Sequence, residues 1–316
     1  MRVGVGLWTL QSTQAAPANL AASYLQFPRD AQRVEQLGFD SIWMAEHRFW
    51  YDGWCPQPLV AIAAAARATS RLRFGTSMLL VSQHDPVRFG RLATSVGVLT
   101  GGRLDLGIGL GHRDAEFDGL GLRRDRRGAR MSDALDVLTA SPTCPPLWIG
   151  GMAPVALERG ASRGTGFVLP QTLYPGEVAE MVESIKGYAD AAGRAPGPIG
   201  IVKDCWVTGP GIVSGDEIRE RFRRHYREEA GAWWVLKGDS TGFQRPELLD
   251  RQLQRVYDTA LIGPPDLVID ALGELRRAGV DLVTLRFWFD VTAGDEAWAS
   301  MESFASAALD GNGCLR

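Results

Sequence analysis

Apolar runs alternate with amphipathic stretches along the whole chain. Short apolar runs bounded by Gly, Pro or Asp predict β-strands, whereas apolar residues three and four positions apart predict helices. The eight predicted strands are Val3–Leu7, Ser41–Ala45, Leu72–Leu80, Leu104–Leu110, Leu147–Gly150, Gly166–Leu169, Ile199–Val207 and Leu282–Phe287. Strict alternation predicts a parallel sheet, and eight units predict closure into an α/β fold, a (β/α)8 TIM barrel, as a single domain over residues 1–316. A doubly wound open sheet is the structural alternative.

Helix-end signals agree with this alternation. Apolar residues recur at helical spacing from Phe27 to Leu37, and Gly38 follows where a helix end accepts a left-handed residue. Pro58 and Pro86 stand where the first turn of a helix tolerates proline. We therefore expect a helix before the second predicted strand and helices on either side of the third.

One region interrupts the alternation. Between about His225 and Tyr257 there is no clean strand, and the segment Trp233–Gly242 combines two tryptophans, two glycines and Lys237. Long insertions in compact domains are usually lids, binding loops or disordered segments. A mobile loop over a binding site and a packed surface excursion are both consistent with this composition.

Composition and charge narrow the class of protein. Hydrophobic residues make up 45% of the 316 residues and the net charge is −3, so nothing indicates a nucleic-acid partner. The four cysteines form no CxxC pair, so neither a disulfide framework nor a metal site is supported. The first residues have the pattern of a core strand, and no apolar run approaches the roughly 20 residues of a membrane span. We expect a soluble, cytoplasmic protein without a membrane partner.

The end of the second predicted strand carries the best candidate for chemistry. His47 follows this strand, at the end of a parallel barrel where active sites are built. Its imidazole exchanges protons near neutral pH, although a strand-end histidine can also simply bond a neighbouring loop. Glu46 should point the other way and act as a structural partner. His112, just beyond the fourth predicted strand, is expected to face the same mouth.

Two glycine clusters suggest room for a cofactor. The first ends the fourth predicted strand and includes Gly109; its spacing does not match a dinucleotide fingerprint, but it would let a flat ring lie against the strand ends. The second is Gly150-Gly151-Met152, which precedes a helix with Pro154 in its first turn. Backbone N–H groups at such a helix start bind anions, so we expect a phosphate site, with an ordinary tight turn as the alternative.

Tryptophans are concentrated near the predicted strand ends. Most large aromatic side chains pack in cores or at rims, but several at one barrel mouth would form an apolar, stacking pocket for a substrate. The tryptophans that we predict to line such a pocket are Trp8, Trp50, Trp206 and Trp288.

The order of these segments resembles that of the bacterial luciferase-like flavin-dependent monooxygenases over nearly the whole chain. The similar segments are 37–43 followed by Glu46-His47-Arg48-Phe49, 72–76 followed by 85–88, 101–109 followed by Glu116-Phe117 and Gly121, 233–238, and 262–265. Single segments are moderately specific, whereas their shared order is a strong signal.

The resemblance implies a barrel that binds reduced FMN at the carboxyl ends of its strands. The ring would lie over Ser77-Met78, where the family often has a non-proline cis peptide, and the phosphate near Gly150, Gly151 and Met152. His47 matches the family histidine beside the flavin reaction centre, and Lys237 matches a lysine of the mobile loop. The sequence departs from the family pattern at Arg48, which replaces a second histidine, and at Leu110, which replaces an arginine near the phosphate in the luciferase subunit.

The resulting hypothesis is an FMN-dependent monooxygenase. Reduced flavin from a separate flavin reductase and dioxygen would oxygenate an apolar or aromatic organic substrate, with His47 and Lys237 as catalytic residues. We also expect a homodimer. Two other functions are open: a deazaflavin-dependent oxidoreductase on the same fold, and a flavin-binding protein without catalysis. The sequence does not identify the substrate.

Overall fold

The computed structural model describes residues 1–13, 17–49, 53–228, 246–287 and 294–316. Three predicted site residues, Trp50, Lys237 and Trp288, lie outside these ranges, as does the whole predicted loop Trp233–Gly242. Their predicted roles therefore stay predictions.

The strands form a closed parallel barrel. Eight of them neighbour one another in the order β10-β1-β2-β3-β5-β6-β7-β8, and β8 pairs with β10 to complete the ring. The prediction of a (β/α)8 barrel is therefore confirmed. The strands of the described residues are β1 Arg2–Trp8, β2 Ser41–Met44, β3 Arg73–Thr76, β4 Leu79–Leu80, β5 Leu104–Gly109, β6 Leu147–Gly150, β7 Gly166–Leu169, β8 Ile199–Val207, β9 Leu261–Gly263 and β10 Leu282–Arg286.

Helices cover the outside of this barrel, and two begin with the predicted prolines, Pro58 and Pro86. Gly38, just beyond the first helix, has φ +88°, as the predicted helix end requires. None of the described helices is long and apolar enough to cross a membrane. The described helices are α1 Leu20–Gln36, α2 Pro58–Ala66, α3 Pro86–Leu99, α4 Asp114–Gly119, α5 Arg127–Thr139, α6 Pro154–Ala161, α7 Pro175–Ala191, α8 Gly215–Glu228, α9 Pro246–Thr259, α10 Pro265–Arg277 and α11 Gly294–Ala308.

The structure differs from the predicted elements in two places. The third predicted strand, Leu72–Leu80, is interrupted: β3 ends at Thr76, a cis peptide joins Ser77 to Met78, and β4 resumes the ladder against β5. Among the described residues from His225 to Tyr257 no strand occurs, as predicted: α8 reaches Glu228 and α9 begins at Pro246. A three-residue strand, β9, also branches from the end of β8; a segment that short has too few positions to show a period.

Aromatic side chains fill the barrel interior. The indoles of Trp43 and Trp148 meet edge to face with 5.8 Å between ring centroids, and both are buried. A Cβ at Gly75 would lie 2.2 Å from Trp43, so glycine is required where the large ring crosses the barrel. The partly buried Leu7 and Met78 pack on this interior cluster. The barrel is therefore a packed core, and its mouth begins at the carboxyl ends of the strands.

Candidate active site

A histidine and a carboxylate form the first pair at the barrel mouth. His47 follows β2, and Glu116 lies in α4, which follows β5. The Nδ1 of His47 lies 2.8 Å from Oε1 of Glu116. Since an ionised carboxylate only accepts hydrogen bonds, the Nδ1–H of His47 donates to Glu116. The indole of Trp54 stands perpendicular to the imidazole at 4.7 Å between centroids and restricts the orientation of the ring.

Glu116 is fully buried among donors. The backbone N–H of Arg48 donates to Oε1 at 3.0 Å, and Gln83 Nε2 donates to Oε2 at 3.2 Å. The guanidinium of Arg113 lies 3.6 Å from Oε1. Burial alone would raise the pKa of Glu116, but the hydrogen bonds from His47, Arg48 and Gln83 outweigh burial and lower this pKa. Glu116 is therefore ionised at neutral pH.

A second buried carboxylate, Glu46, lies next to this pair. Arg48 Nη2 donates to Glu46 Oε1 at 2.7 Å, and His84 Nε2 lies 3.1 Å from the same oxygen. The backbone N–H of Leu80 donates to Glu46 Oε2 at 2.7 Å. Glu46 thus points away from Glu116 and fixes the chain just after Met78. This is the structural role predicted for Glu46.

The charges at this side of the mouth are balanced. Glu46 is paired with Arg48, and Glu116 with Arg113. With the neighbouring histidines neutral, these four groups have no net charge. A protonated His47 would form a charge pair with Glu116, whose Oε1 lies 2.8 Å from Nδ1.

Met78 forms a platform between the strand ends. The backbone N–H of Ser77 donates to Met44 O at 2.7 Å, so this segment is fixed to β2. A Cβ at Gly109 would lie 3.1 Å from Met78 Cβ, and one at Gly150 would lie 2.8 Å from Met78 Cγ. The glycines therefore leave the space that the methionine side chain occupies. The structure brings Ser77, Met78, Gly109 and Gly150 together, as the sequence predicts.

The chain after β6 exposes a helix start. Gly151 has φ +135°, and Met152 is 39% exposed. The helix α6 then begins with Pro154, and Ala153 at its N-cap position provides no side-chain hydrogen bond. Pro154 has no N–H and the Ala156 N–H donates to Ala153 O at 2.7 Å, so the first-turn N–H that is left for an anion at the positive end of the helix dipole is that of Val155. Gly150, Gly151 and Met152 occupy the position predicted for a phosphate site.

Across the mouth lies another charge pair. Asp204 near the end of β8 and Arg286 at the end of β10 are register partners, and Arg286 Nη1 lies 3.7 Å from Asp204 Oδ1. Both side chains are at least nine-tenths buried. The mouth therefore has charged groups on the side of β8 and β10 as well as on the side of β2 and β5.

Two of the tryptophans predicted to line a substrate pocket are packed in apolar clusters. Trp8 lies 6.1 Å from Phe27 and 6.0 Å from Trp298 between ring centroids. Trp206 is fully buried in a separate cluster that includes Phe222 of α8, and its Nε1–H donates to Val213 O at 3.1 Å. The role of both in a substrate pocket stays a prediction.

His112 does reach the mouth. Its ring lies 6.0 Å from that of His47 between centroids, in a perpendicular arrangement. The sequence predicts Arg113, beside His112, at this mouth, whereas Glu116, Gln83 and His84 were missed. Glu116 stood in a family-like segment, so its signal was available; the other two follow a strand end without a distinguishing pattern.

The chain and its fold have clear relatives. The profile of the luciferase-like monooxygenases matches residues 1–143 and 138–282. The monooxygenase RslO1 from Streptomyces bottropensis superimposes with a TM-score of 0.79 at 21% identity, covering 97% of this chain and 98% of that one. The oxygenating constituent of 3,6-diketocamphane monooxygenase from Pseudomonas putida, in complex with FMN, gives 0.75 at 15% identity over 96% and 97% of the two chains. At these identities the two structures show the fold alone.

The sequence relatives include an F420-dependent enzyme. An F420-dependent hydroxymycolic acid dehydrogenase of Mycobacterium tuberculosis is 25% identical over 66% of this chain and 66% of its own length. The chain spans less than two thirds of the length of other curated relatives that it matches, 64% in one case and 29% in another. The family profile nevertheless covers most of the chain, and the barrel agrees with it. The chain therefore belongs to the luciferase-like monooxygenase family of enzymes.

Proposed function

We propose that the protein is an FMN-dependent monooxygenase that uses reduced flavin and dioxygen to oxygenate an apolar or aromatic organic substrate. The observation that carries this proposal is the pairing of His47 with the buried, ionised Glu116 at the same barrel mouth as the Met78 platform. Proton exchange beside a flat apolar surface is what an oxygenating flavin site requires of its protein.

The residues at the mouth fit a flavin. Met78 offers an apolar surface for a planar ring, and the glycines around it keep the backbone close to that surface. The uncapped start of α6, after Gly151, suits a terminal phosphate. When bound, reduced FMN would supply the electrons that activate dioxygen.

The chain supplies the proton chemistry. His47 would hold or release a proton at its Nε2 edge, because its Nδ1 edge is committed to Glu116. Hydrogen bonds from His47, Arg48 and Gln83 lower the pKa of Glu116, so its carboxylate stays charged beside the imidazole. Lys237, which lies outside the described residues, remains a proposed second catalytic residue on the loop over the mouth.

The runner-up function is a deazaflavin-dependent oxidoreductase that transfers hydride without oxygen. A relative of 25% identity that uses F420 supports this alternative. The FMN complex of a structure with the same fold supports the first. Cofactor choice therefore decides between them.

A rapid-mixing experiment tests the oxygenase proposal without knowledge of the substrate. Reduced FMN regains its absorbance near 450 nm when it meets oxygen, and a stoichiometric amount of the protein should change the rate of this recovery. The His47→Gln variant should bind reduced FMN but recover at a different rate from the wild type. An identical time course with and without protein would contradict the proposal.

We make two further proposals, one about a partner protein and one about self-association. A separate flavin reductase, in the cytoplasm, would supply the reduced FMN. We also propose a homodimer, because apolar side chains are exposed on the outer faces of two adjacent helices: Val60 on α2, and Val87, Val98 and Leu99 on α3.

A further inference from the structure

We infer that Glu116 is a positioning residue for His47: its carboxylate holds the imidazole with the proton on Nδ1 and presents Nε2 to the proton that the reaction exchanges. This inference rests on the proposed function, in which His47 handles a proton. It explains why the buried Glu116, which is 69 positions from His47 in sequence, lies within hydrogen-bond distance of it.

The hydrogen bonds of Glu116 fix both of its oxygens. Oε1 accepts from His47 Nδ1–H at 2.8 Å and from the Arg48 backbone N–H at 3.0 Å, and Oε2 accepts from Gln83 at 3.2 Å. The carboxylate therefore cannot rotate away from the ring without losing these bonds. Since only an acceptor faces Nδ1, the Nε2–H tautomer of His47 would leave two acceptors opposed.

Orientation is fixed from the other face as well. The indole of Trp54 contacts the imidazole edge-on, and Trp54 is itself held by a hydrogen bond from Nε1 to Ala45 O at 3.2 Å. Arg113 Nη1 donates to Arg48 O at 3.2 Å and so fixes the loop that carries His47. The ring is therefore preorganised, with its Nε2 edge turned away from Glu116.

If Glu116 only held His47 in place, a neutral hydrogen-bonding side chain at this position would serve equally well. The side-chain oxygen Oε1 of Gln83 is buried and has no hydrogen-bond partner. In a Glu116→Gln variant, rotation of the Gln83 amide would turn this oxygen towards the new N–H group and preserve the local network. The substitution therefore removes the negative charge beside His47 while the geometry is kept, which separates an electrostatic role from a packing role.

The first test needs neither cofactor nor substrate. The chain has four histidines, so 15N-histidine labelling gives few signals, and His47→Gln assigns the one from His47. At alkaline pH, where the ring is neutral, wild-type His47 should carry its proton on Nδ1, the reverse of the preference of free histidine. Glu116→Leu, which has no acceptor, should shift the ring towards the Nε2–H tautomer. Glu116→Gln, whose amide oxygen still accepts from Nδ1–H, should shift it less, and the exposed control Glu183→Gln should not shift it. A wild-type His47 protonated on Nε2 would overturn the inference.

The second test is a double-mutant cycle on the rate of FMN recovery after mixing with oxygen. Glu116→Gln should change this rate at least fivefold in the wild-type background and by less than twofold in the His47→Gln background, because Glu116 acts through His47. Equal factors in both backgrounds, or no effect in either, would overturn the inference. If the protein does not bind FMN, the tautomer measurement still decides, so the two proposals fail separately.

Discussion

At the residue scale, Arg103 shows how one side chain of a family-like segment supports the barrel. Its guanidinium donates to Thr100 O, to Leu72 O and to Thr69 Oγ1, each at 2.8 Å, and also to two carbonyls of the α2–β3 connection. These hydrogen bonds attach the connection between α2 and β3 to Arg103, the residue before β5. Only the planar guanidinium of arginine can donate to so many acceptors at once.

Arg103→Lys should therefore destabilise the protein. A lysine ammonium would reach only some of these acceptors and leave the others unpaired, so we expect a loss of roughly 2 kcal/mol in the free energy of unfolding. Denaturant unfolding measures this loss, and Arg123→Lys, an exposed pair with Asp125, is the control. Equal stability of the two variants would show that these hydrogen bonds contribute nothing.

Gly151 is the residue that tests the phosphate site. Its φ of +135° favours glycine, so Gly151→Ala measures the cost of backbone strain and Gly151→Glu adds a negative charge to the same strain. We expect Gly151→Glu to bind FMN at least tenfold more weakly than Gly151→Ala, a difference on the order of 1.4 kcal/mol. Riboflavin, which lacks the phosphate, is the control ligand and should bind both variants alike. A tenfold loss for riboflavin too would argue against a phosphate at this position.

Site residues could be predicted from the sequence where they lie at the end of a strand. His47, Met78 and Gly150 follow strand ends, and parallel strands bring their carboxyl ends to one edge, so their grouping follows from the pattern. The partnership of His47 with Glu116 depends on the orientation of two loops, and the pattern of apolar residues does not determine this. The packing of α8 and β9 around Trp206, at the end of β8, was likewise not visible in the sequence.

At the element scale, two cations hold the β7–α7 connection at the barrel mouth. Lys203 Nζ on β8 donates to Gln171 O at 2.9 Å and to Leu173 O at 2.8 Å. Arg255 on α9 donates to Thr172 O at 2.9 Å and pairs with Glu177 at the start of α7. The connection and α9 therefore form one hydrogen-bonded unit beside the site.

Stability should depend on pH through Lys203. Burial lowers its pKa from the ordinary 10.5 to about 8, against the opposing charges of Asp204 and Glu177 and with a further contribution from Arg255. Between pH 8 and 10.5 the unfolded chain binds more protons at this lysine than the folded chain does. The contribution of Lys203 to the free energy of unfolding must therefore rise with pH across this window.

The matched measurement compares the wild type with Lys203→Met. The stability difference in favour of the wild type should grow by up to about 3 kcal/mol between pH 7 and 10.5. Other titrating groups are common to both proteins and cancel. A difference that does not change with pH would show that Lys203 is not buried in its charged form.

At the scale of the whole molecule, the exposed apolar residues on α2 and α3 predict self-association. Val98 is 70% exposed and Val60 is 62% exposed, on helices that contact each other. Val98→Glu should lower the fraction of dimer in sedimentation velocity. It should leave the melting temperature nearly unchanged, because the exposed Val98 side chain packs little against the core of the monomer. Ser184→Glu, at an exposed position on α7, is the polar control. A wild-type protein that sediments as a monomer at all concentrations would contradict the proposed homodimer.

The architecture was more predictable than its irregular parts. Barrel strands are buried on both faces and appear as apolar runs, so their number and order could be read directly. The interruption at Ser77-Met78 could not be derived from periodicity, because Leu72–Leu80 is apolar enough to resemble one strand. The resemblance to a known family predicted the cis peptide between Ser77 and Met78, but not the break in the strand.

An anaerobic binding titration of the protein with reduced FMN and, separately, with reduced F420 tests most directly whether FMN is the cofactor. Quenching of tryptophan fluorescence would report binding of both cofactors. We expect reduced FMN to bind at least tenfold more tightly than reduced F420, and Gly151→Glu to remove most of this preference. Tighter binding of reduced F420, with hydride transfer in the absence of oxygen, would contradict this expectation.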